Sequence, residues 1–557
     1  MSRRSLPNLV NGWTLMLACL AVYLPLFWQM PLSRSEAMYA VIPREMLASG
    51  SWLNPILNGV PYLDKPHLLY WLNMLSYKIF GISDWASRLP TLALTLGEVW
   101  VTYLIGVRLL GRRAAWLGGF VLLSSIGFFA LHLQLLTDHL ITLALAASLY
   151  SLLRWQEQPT FRWAALFHLS LLAGFLSKGF IGLGFPLLIG ALYAFHLRRS
   201  NFSALFFSPR GLALVILLIV PWFVGVEQAS PGFIKHQIIN EQVLRFLGQR
   251  DPADINPFSI PGFWIFLGIW LIPWTVLLPE ALYRFWRETR PGAGADPEGR
   301  LLLIWAAVIM GFFTLSSSRI EYYSLPALPP LALILGWRLK EYLAVPRDRK
   351  LLWATLAIAL LGLGTIFLLP HLERLCADNR REFIGMFPLA YPFARPVTFL
   401  VPALALLGAA AGWRRPRVMV ATFGALALML VYFTFQTLIA LSPLLSDKAP
   451  GEYLRRHAGP QDLVVMEQIE EFEYGASLVF YSGHPILMVQ RDGLPQFPYP
   501  VPPEEDYLIS PERLQELWQG PIRVFLLVDD IIPREPYLEK GAVVLAAPGK
   551  RLLVNHP

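Results

Sequence analysis

The stretch SRSEAMYAVIPREMLASGSWLNPILNGVPYLDKPHLLYW, residues 33–71, holds acidic and basic side chains close together and lies between long apolar runs. Charged side chains are costly to leave in the hydrocarbon of a bilayer, whereas the runs on either side are long enough to enter it. The stretch is therefore predicted to lie at a membrane surface. Within it, Glu36, Tyr39, Asp64 and Lys65 are suited to handling a charged substrate.

The composition of the whole chain indicates a membrane protein. Of its 557 residues, 55% are hydrophobic and only 15% are charged, which is more apolar than a soluble domain of this size needs to be. The net charge is +8, but the basic residues fall in short clusters between apolar runs rather than along one face. This pattern is typical of membrane topology and argues against a nucleic-acid partner.

Thirteen apolar runs are candidates for membrane-spanning helices, since about 20 residues cross a bilayer core of roughly 30 Å. Lys and Arg cluster in every second loop, which predicts a cytoplasmic N-terminus. The first run is predicted to be an uncleaved span, because no small-residue cleavage site follows it. The runs lie near 12–30, 89–110, 114–131, 139–156, 160–177, 180–197, 211–229, 259–283, 300–317, 323–340, 351–370, 397–413 and 418–441.

The last part of the chain has a different composition, and an odd number of spans places it opposite the cytoplasm. Its apolar runs have strand length, as in DLVVM, ASLVFY, PILMV, RVFLLV and AVVLA, while EEFEYG and PERLQELW are helical candidates. We predict a transmembrane domain over 1–443, with interfacial helices in 31–88, and a small α/β domain over 444–557. The α/β domain has no recognisable catalytic motif, so we expect it to be structural or to guide an acceptor.

Two carboxylates on the predicted outer face are candidates for a general base. Glu36 stands beside the outer end of the first span, and Asp138 lies among apolar residues at the end of the fourth. A carboxylate at membrane depth is costly unless it is paired or functional. The alternatives are that Asp138 caps a helix N-terminus, and that Glu36 is a solvated charge on a helix that rests on the membrane through Ala37 and Met46.

Four cations on the same face are suited to holding a lipid-linked phosphate. Lys65 follows Asp64 in a turn, and Lys178, Arg245 and Arg319 each lie near aromatic residues. Any one of them alone would be an ordinary positive charge at the level of the lipid headgroups, since a lysine can extend its head to the interface. Together they predict a phosphate clamp.

These segments resemble a known family. SEAMYAVIPREMLASGSW (35–52) and LNGVPYLDKPHLLYWLN (57–73) are similar to the opening of the bacterial aminoarabinose (lipid A) transferases and the related protein O-mannosyltransferase-like enzymes, which are GT-C membrane glycosyltransferases. Shorter likenesses follow at 137–138, at the SKG of 177–179, and at RIEYYSLP (319–326). The likeness runs over most of the membrane part, and the last domain matches only in position and size.

The resemblance implies a polytopic α-helical protein of the bacterial inner membrane, with about thirteen helices, a periplasmic cavity and a periplasmic C-terminal domain. It implies inverting transfer of a sugar, such as 4-amino-4-deoxy-L-arabinose, from an undecaprenyl-phosphate-linked donor to lipid A or another envelope acceptor. It also implies that Lys65 contacts the phosphate, that Asp138 is the second acidic position, and that Tyr323 lines the cavity with Tyr39 near the donor.

The chain departs from the family pattern at four places. Ser35 stands where the family has an aspartate, and Met38 stands where an arginine often precedes the tyrosine. Asp64 replaces a glutamate before Lys65, and Gln242 stands where a histidine often follows the acid Glu241. Ser35 cannot act as a carboxylate base, so that role passes to Glu36 or Asp138. No cofactor is required by the sequence, although a divalent metal ion could lie between Asp64, His236 and Glu241.

Other functions remain open on the sequence alone. A transporter or flippase for lipid-linked sugars would share the cations, but should show internally related halves, and none is visible. A protein O-glycosyltransferase would have the same fold. An assembly protein with a decayed site is a further alternative because of Ser35.

Overall fold

The computed structural model of the chain describes most of its residues, and all structural statements below concern these. They are 11–197, 201–251, 258–290, 297–345, 349–379, 382–467, 472–490, 507–529 and 541–556.

The first four-fifths of the chain is almost entirely helical. Its α-helices in chain order are α1 (Gly12–Leu26), α2 (Arg34–Ser49), α3 (Leu68–Phe80), α4 (Asp84–Leu110), α5 (Arg112–Leu123), α6 (Ile126–Leu131), α7 (Thr137–Glu157), α8 (Phe161–Lys178), α9 (Phe180–Leu197), α10 (Asn201–Phe206), α11 (Pro209–Ala229), α12 (Phe233–Lys235), α13 (Arg245–Leu247), α14 (Ile260–Trp270), α15 (Leu278–Thr289), α16 (Arg300–Leu315), α17 (Leu328–Ala344), α18 (Arg349–Asn379), α19 (Glu382–Gly412) and α20 (Pro416–Leu445). A π-helix covers His236–Leu244, and 3₁₀ turns cover Trp274–Leu277, Pro297–Gly299 and Glu321–Ala327.

Six helices among the described residues are long and apolar enough to cross a membrane. A seventh span results if the bent pair Ile260–Trp270 and Trp274–Thr289 is counted as one. The protein is therefore helical with at least six candidate spans, and the predicted number of thirteen goes beyond this. The six are Asp84–Leu110, Phe180–Leu197, Asn201–Ala229, Arg349–Leu369, Met386–Gly412 and Pro416–Leu445.

Two of the predicted continuous spans are broken. The run near 259–283 bends by 105°, at a point where Pro273 has no backbone N–H to continue a helix. The run near 114–131 divides into α5 and α6, because the Ser124 and Ser125 hydroxyls donate to the carbonyls of Phe120 and Val121 at 2.6 Å. Such side-chain bonds compete with the helical pattern.

The outer segment forms α2, a short hairpin and α3. The hairpin pairs β1 (Ile56–Leu57) with β2 (Val60–Pro61), and its turn uses Asn58 and Gly59 with positive φ, as a tight two-residue turn requires. The expectation that α2 rests on the membrane is wrong: Ala37 and Met46 are fully buried within the protein. They belong to a core that α2 shares with α3 and the C-terminal domain.

The last part of the chain forms a six-stranded sheet in the order β5-β4-β3-β6-β8-β7. The first four strands in this order are parallel, and β8 and β7 are antiparallel. The elements are β3 (Leu463–Glu467), β4 (Leu487–Val489), β5 (Leu508–Ile509), β6 (Val524–Asp529), β7 (Ala542–Ala547) and β8 (Lys550–Val554), with helices α21 (Lys448–His457), α22 (Ala476–Ser482) and α23 (Pro511–Gln519).

Most of the predicted strands lie in this sheet, and PERLQELW is helical as predicted. ASLVFY is not a strand but helix α22, since parallel β3 and β4 need a crossover between them. Leu478 and Val479 are buried as part of the shared core, and Gly483 ends the helix in the left-handed conformation. EEFEYG lies partly outside the described residues, and Phe472–Gly475 forms a 3₁₀ turn.

A buried charge cluster fastens the sheet to α2. The Arg34 guanidinium donates to Asp447 and to Asp529 at 2.8 Å, and the Lys550 ammonium lies 2.9 Å from Asp447. Burial raises the pKa of Asp447, but Arg34 and Lys550 outweigh this and lower it to about 2. Asn58 adds two hydrogen bonds to the backbone of Ile486.

Candidate active site

A cavity of about 500 Å³ opens beside the junction of α8 and α9. Lys65, Lys178, Arg245 and Tyr323, all predicted from the sequence, line it. The rest of the wall is largely apolar and extends along α9 and α16; it includes Phe180, Ile181, Phe185, Leu188, Val243, Phe246, Leu247, Phe312 and Phe313. The cavity therefore has a charged end and a long apolar end.

The π-helix His236–Leu244 holds the charged end together. The Gln237 amide donates to the Leu63 carbonyl at 2.5 Å, and the Gln242 amide donates to the Lys178 carbonyl at 3.4 Å. A π-helix is rare and is often found at functional sites. Gly179 separates α8 from α9 with φ +72°, and a Cβ there would lie 2.6 Å from Gln242, so only glycine fits this position.

Asp138 and Lys178 form an ion pair at the cavity. The Lys178 Nζ lies 2.7 Å from the Asp138 Oδ1 and 4.2 Å from the centre of the Tyr323 ring. Asp138 lies in the first turn of α7, where the helix dipole stabilises a negative charge. The two side chains are only 5% and 12% exposed, so the charges are held in fixed positions.

Tyr39 joins this group from α2. It is buried, and its side chain hydrogen-bonds to Thr137. Burial, followed by the negative charge of Asp138, raises the pKa of Tyr39 well above its usual value. Tyr39 therefore stays protonated and acts as a neutral hydrogen-bonding group.

A second charged cluster forms part of the cavity wall, where Asp64 and Glu241 lie beside Lys65 and Arg245. The His236 Nε2 and the Asp64 Oδ1 are 2.8 Å apart, and Arg250 bridges Asp64 at 2.8 Å and Glu241 at 2.5 Å. Burial raises the pKa of Asp64, but the His236 hydrogen bond and the Arg250 and Lys65 charges hold it well below its usual range. Asp64 is therefore a carboxylate at all ordinary pH values.

Asp64 and Glu241 also line the cavity, but the positive side chains beside them are more exposed. Arg245 lies 2.9 Å and Lys65 3.5 Å from Glu241, and their side chains are 18% and 14% exposed, against 2% for Glu241. The four cations Lys65, Lys178, Arg245 and Arg250 exceed the three carboxylates Asp64, Asp138 and Glu241 by one charge. The cavity therefore presents a positive surface suited to an anion.

The same cluster could hold a divalent metal ion. Asp64, His236 and Glu241 each offer a ligand atom, and these atoms lie within 4.8 Å of one another. One imidazole nitrogen and two carboxylates suit Zn²⁺. Arg250 already neutralises both acids, so the cluster is also stable as an ion network.

Four predicted site residues are not among those that line the cavity. Asp138 and Tyr39 adjoin it, since Asp138 pairs with Lys178 and Tyr39 lies beside Asp138, whereas Glu36 and Arg319 lie elsewhere. Glu36 caps the N-terminus of α2 through Ser33 and pairs with Arg88 at 2.9 Å, both buried; it does not line the cavity. Arg319 donates from Nε to the Phe258 carbonyl at 3.0 Å and from Nη1 to the Ser316 carbonyl, so it holds a loop rather than facing the cavity.

Arg250 is a site residue that the sequence analysis missed. It follows the π-helix in the polar segment 230–258, where it is one of several charges. Only the fold shows that it is the link between Asp64 and Glu241, which are far apart in the chain.

The helical bundle with a cavity at one end and a C-terminal sheet defines the GT-C class of membrane fold. ArnT from Cupriavidus metallidurans, in its crystal structure bound to undecaprenyl phosphate, superposes with a TM-score of 0.76 over 98% of both chains at 20% identity. The apo structure of that protein gives a TM-score of 0.75. These values establish the fold.

The sequence comparisons agree with the resemblance drawn from the motifs and confirm it. Residues 64–224 match the model of the dolichyl-phosphate-mannose-protein mannosyltransferase family. Curated relatives named undecaprenyl phosphate-alpha-4-amino-4-deoxy-L-arabinose arabinosyl transferase are 32% identical over 350 residues in Aeromonas salmonicida and 31% identical over 378 residues in Pectobacterium carotovorum. The alignments cover 61% and 64% of this chain, and 62% and 66% of those relatives.

Proposed function

We propose that this chain is an integral-membrane inverting glycosyltransferase that uses a polyprenyl-phosphate-linked sugar. The observation that carries the proposal is the cavity, which joins a cluster of cations to a long apolar wall. A polyprenyl phosphate has the same division into an anionic head and an apolar chain. The cations bind the head through charge-assisted hydrogen bonds, and the aromatic wall of α9 and α16 receives the chain.

The donor needs no further activation, because the polyprenyl phosphate is itself the leaving group. The acceptor oxygen attacks C1 of the sugar from the face opposite the phosphate, the C1–O bond breaks, and its electron pair leaves with the phosphate. Lys65 and Arg245 stabilise the charge that develops on that phosphate, with Lys178 in support. Their fixed pairing with Glu241 and Asp138 orients them before the donor arrives.

Asp138 is the general base in this proposal. Its carboxylate is held 2.7 Å from the Nζ of Lys178, which lines the cavity, and it takes the proton of an acceptor hydroxyl. Glu36 is withdrawn from this role, since its carboxylate is occupied by Arg88 and by the N-terminus of α2. Tyr39 and Tyr323 shape the space for the sugar beside Asp138.

The names of the relatives point to 4-amino-4-deoxy-L-arabinose on undecaprenyl phosphate as the donor. We propose a membrane-bound envelope acceptor such as lipid A, in the outer leaflet of the bacterial inner membrane. Thirteen spans with a cytoplasmic N-terminus and a periplasmic C-terminal domain put the cavity on that side. This count is supported by helices in all thirteen apolar runs, including the short apolar helices α1 and α16.

A divalent ion at Asp64, His236 and Glu241 would supply positive charge behind the leaving phosphate. The same residues without the ion keep Lys65 and Arg245 in place through Glu241. Metal analysis of the purified protein, with His236→Ala as the variant that should lose the ion, decides between these states.

The direct test uses purified protein in liposomes with undecaprenyl-phosphate aminoarabinose and a lipid A acceptor. We expect mass spectrometry to detect glycosylated acceptor and free undecaprenyl phosphate together, and Lys65→Met to lose both. Lys448→Met is the matched control, because Lys448 pairs with Asp84 away from the cavity. Donor that crosses the bilayer uncleaved would identify a flippase, and transfer to a protein acceptor alone would identify a protein O-glycosyltransferase.

A further inference from the structure

A chain of three buried titratable side chains lies inside the helix bundle, apart from the cavity. Glu98 projects from α4, His132 follows α6, and His139 lies in the first turn of α7; all three have no exposed surface. The His132 Nε2 is 3.0 Å from the Glu98 Oε2, and the two histidine rings are 4.1 Å apart. Ionisable groups at this depth are costly and are therefore functional candidates.

The hydrogen bonds of His132 fix its protons. Its Nδ1 lies 2.8 Å from the Phe128 carbonyl oxygen, which can only accept, so Nδ1 carries a proton. Nε2 and the Glu98 Oε2 then share one further proton. If the proton were on His132, the result would be an ion pair with two charges in an apolar core. His132 is the only basic side chain paired with Glu98 among the described residues. The proton therefore belongs on Glu98, which leaves both groups neutral.

The same argument applies to His139. Its Nε2 lies 3.1 Å from the Gln134 carbonyl oxygen and so carries the proton, which leaves Nδ1 as an acceptor. Within the described parts of the chain, Nδ1 has no partner, and neither have the Glu98 Oε1 and the Thr102 Oγ1. Thr102 is one turn beyond Glu98 on the same face of α4.

Buried polar atoms without partners are rare, and a buried water commonly satisfies them. Glu98 Oε1, Thr102 Oγ1 and His139 Nδ1 are three such atoms among the described residues. We propose that Glu98, His132 and His139 form a buried site that holds one proton inside the bundle. The site holds α6 and the first turn of α7 in register.

This site has a consequence for the reaction, which rests on the proposed function. His139 is the next residue after Asp138, so a change in its position moves the general base. Glu98, His132 and His139 are therefore positioning residues that act through α7. The other titratable groups that face the site are Cys19 and Tyr23 on α1 and Asp138 with its partner Lys178.

Two variants of Glu98 separate the proposal from a general packing role. Glu98→Gln keeps the shape and donates an amide N–H to His132 where the carboxylic acid donated an O–H, so we expect near-normal kcat. Glu98→Leu leaves His132 Nε2 without its hydrogen-bond donor. We expect its kcat to fall on the order of 10²-fold, as for a displaced catalytic group, with unchanged affinity for undecaprenyl phosphate. A fully active Glu98→Leu, or an inactive Glu98→Gln, would overturn the positioning role.

Infrared spectroscopy tests the site without any substrate. We expect a protonated carboxyl band at neutral pH in the unmodified protein that is absent in Glu98→Gln and retained in the control Glu241→Gln. If that band is missing, or does not change in Glu98→Gln, the proton site is wrong. Because this measurement needs no turnover, it stands even where the unmodified protein transfers no sugar, an outcome that would refute the proposed function alone.

Discussion

The pair formed by Asp138 and Lys178 allows stability and chemistry to be separated. Their charged atoms are 2.7 Å apart and both side chains are buried. Removing one partner of such a pair leaves an uncompensated charge in the interior, which costs about 3–5 kcal/mol, whereas removing both together costs much less. Asp138→Asn and Lys178→Met should therefore each lower the melting temperature in detergent, and the double variant should recover most of the loss.

The activity of the same variants should not recover. Loss of a general base lowers the rate by about 10²–10⁴-fold, so Asp138→Asn and the double variant should both be nearly inactive in the liposome assay. A double variant that regains transfer along with stability would refute the catalytic role of Asp138, because the defect of the single variant would then be one of folding.

A matched control is available at the surface. Lys448 and Asp84 are also 2.7 Å apart, but Lys448 is 42% exposed, and exposed pairs contribute about 0–1 kcal/mol. Asp84→Asn and Lys448→Met should change the melting temperature very little. If they destabilise the protein as much as the cavity variants do, burial is not the reason for the effect.

Three further predictions follow from the charges described above. Glu36→Gln should lower the melting temperature, because buried Arg88 loses its carboxylate partner, while the affinity for the donor stays normal. An unchanged melting temperature together with loss of sugar transfer would instead give Glu36 a catalytic role. Arg245→Met should weaken undecaprenyl phosphate binding by about 2 kcal/mol, the value of a charge-assisted hydrogen bond, as measured by fluorescence titration. Arg319→Met should leave the affinity unchanged; an equal loss of affinity in the two variants would place both arginines at the phosphate. The pKa of Asp447 is lowered to about 2, so its ionisation stabilises the folded protein by roughly 2 kcal/mol. This stabilisation is complete above about pH 4 and is lost as the pH falls through about 2. Melting curves recorded across this range should show the loss, and Asp447→Asn should abolish the pH dependence.

Several side chains that line the cavity could be predicted because membrane depth restricts where charges are placed. A polar residue between apolar runs must lie at one of two surfaces, and the alternation of basic loops assigns the surface. Lys65, Lys178, Arg245 and Asp138 were therefore expected on one side, and the fold brings Lys65, Lys178 and Arg245 to one cavity, with Asp138 paired to Lys178 at its edge. The alternation of basic loops predicts how deep a residue lies in the membrane, but it does not predict which helices are neighbours within the membrane plane.

The wrong predictions concern contacts between segments that are distant in the sequence. Glu36 lies at the predicted depth, but its carboxylate is taken by Arg88, which is 52 residues further along. From the sequence, Arg88 looks like an ordinary charged residue at the end of a membrane span. No local pattern identifies it as the partner of Glu36. ASLVFY likewise has the composition of a strand, and only the need for a crossover between two parallel strands makes it a helix.

The attachment of the C-terminal sheet to α2 sets an order for biosynthesis. The ribosome delivers residues 33–71 to the membrane early, yet Arg34 meets Lys550 at the shared Asp447, and Leu32 bonds to the hydroxyl of Tyr481. The part of α2 that packs on the C-terminal domain therefore remains uncovered until almost the whole polypeptide has been made. A nascent protein that stops near residue 443 would carry every cavity-lining side chain and still lack the support that holds α2, and with it Tyr39, in place.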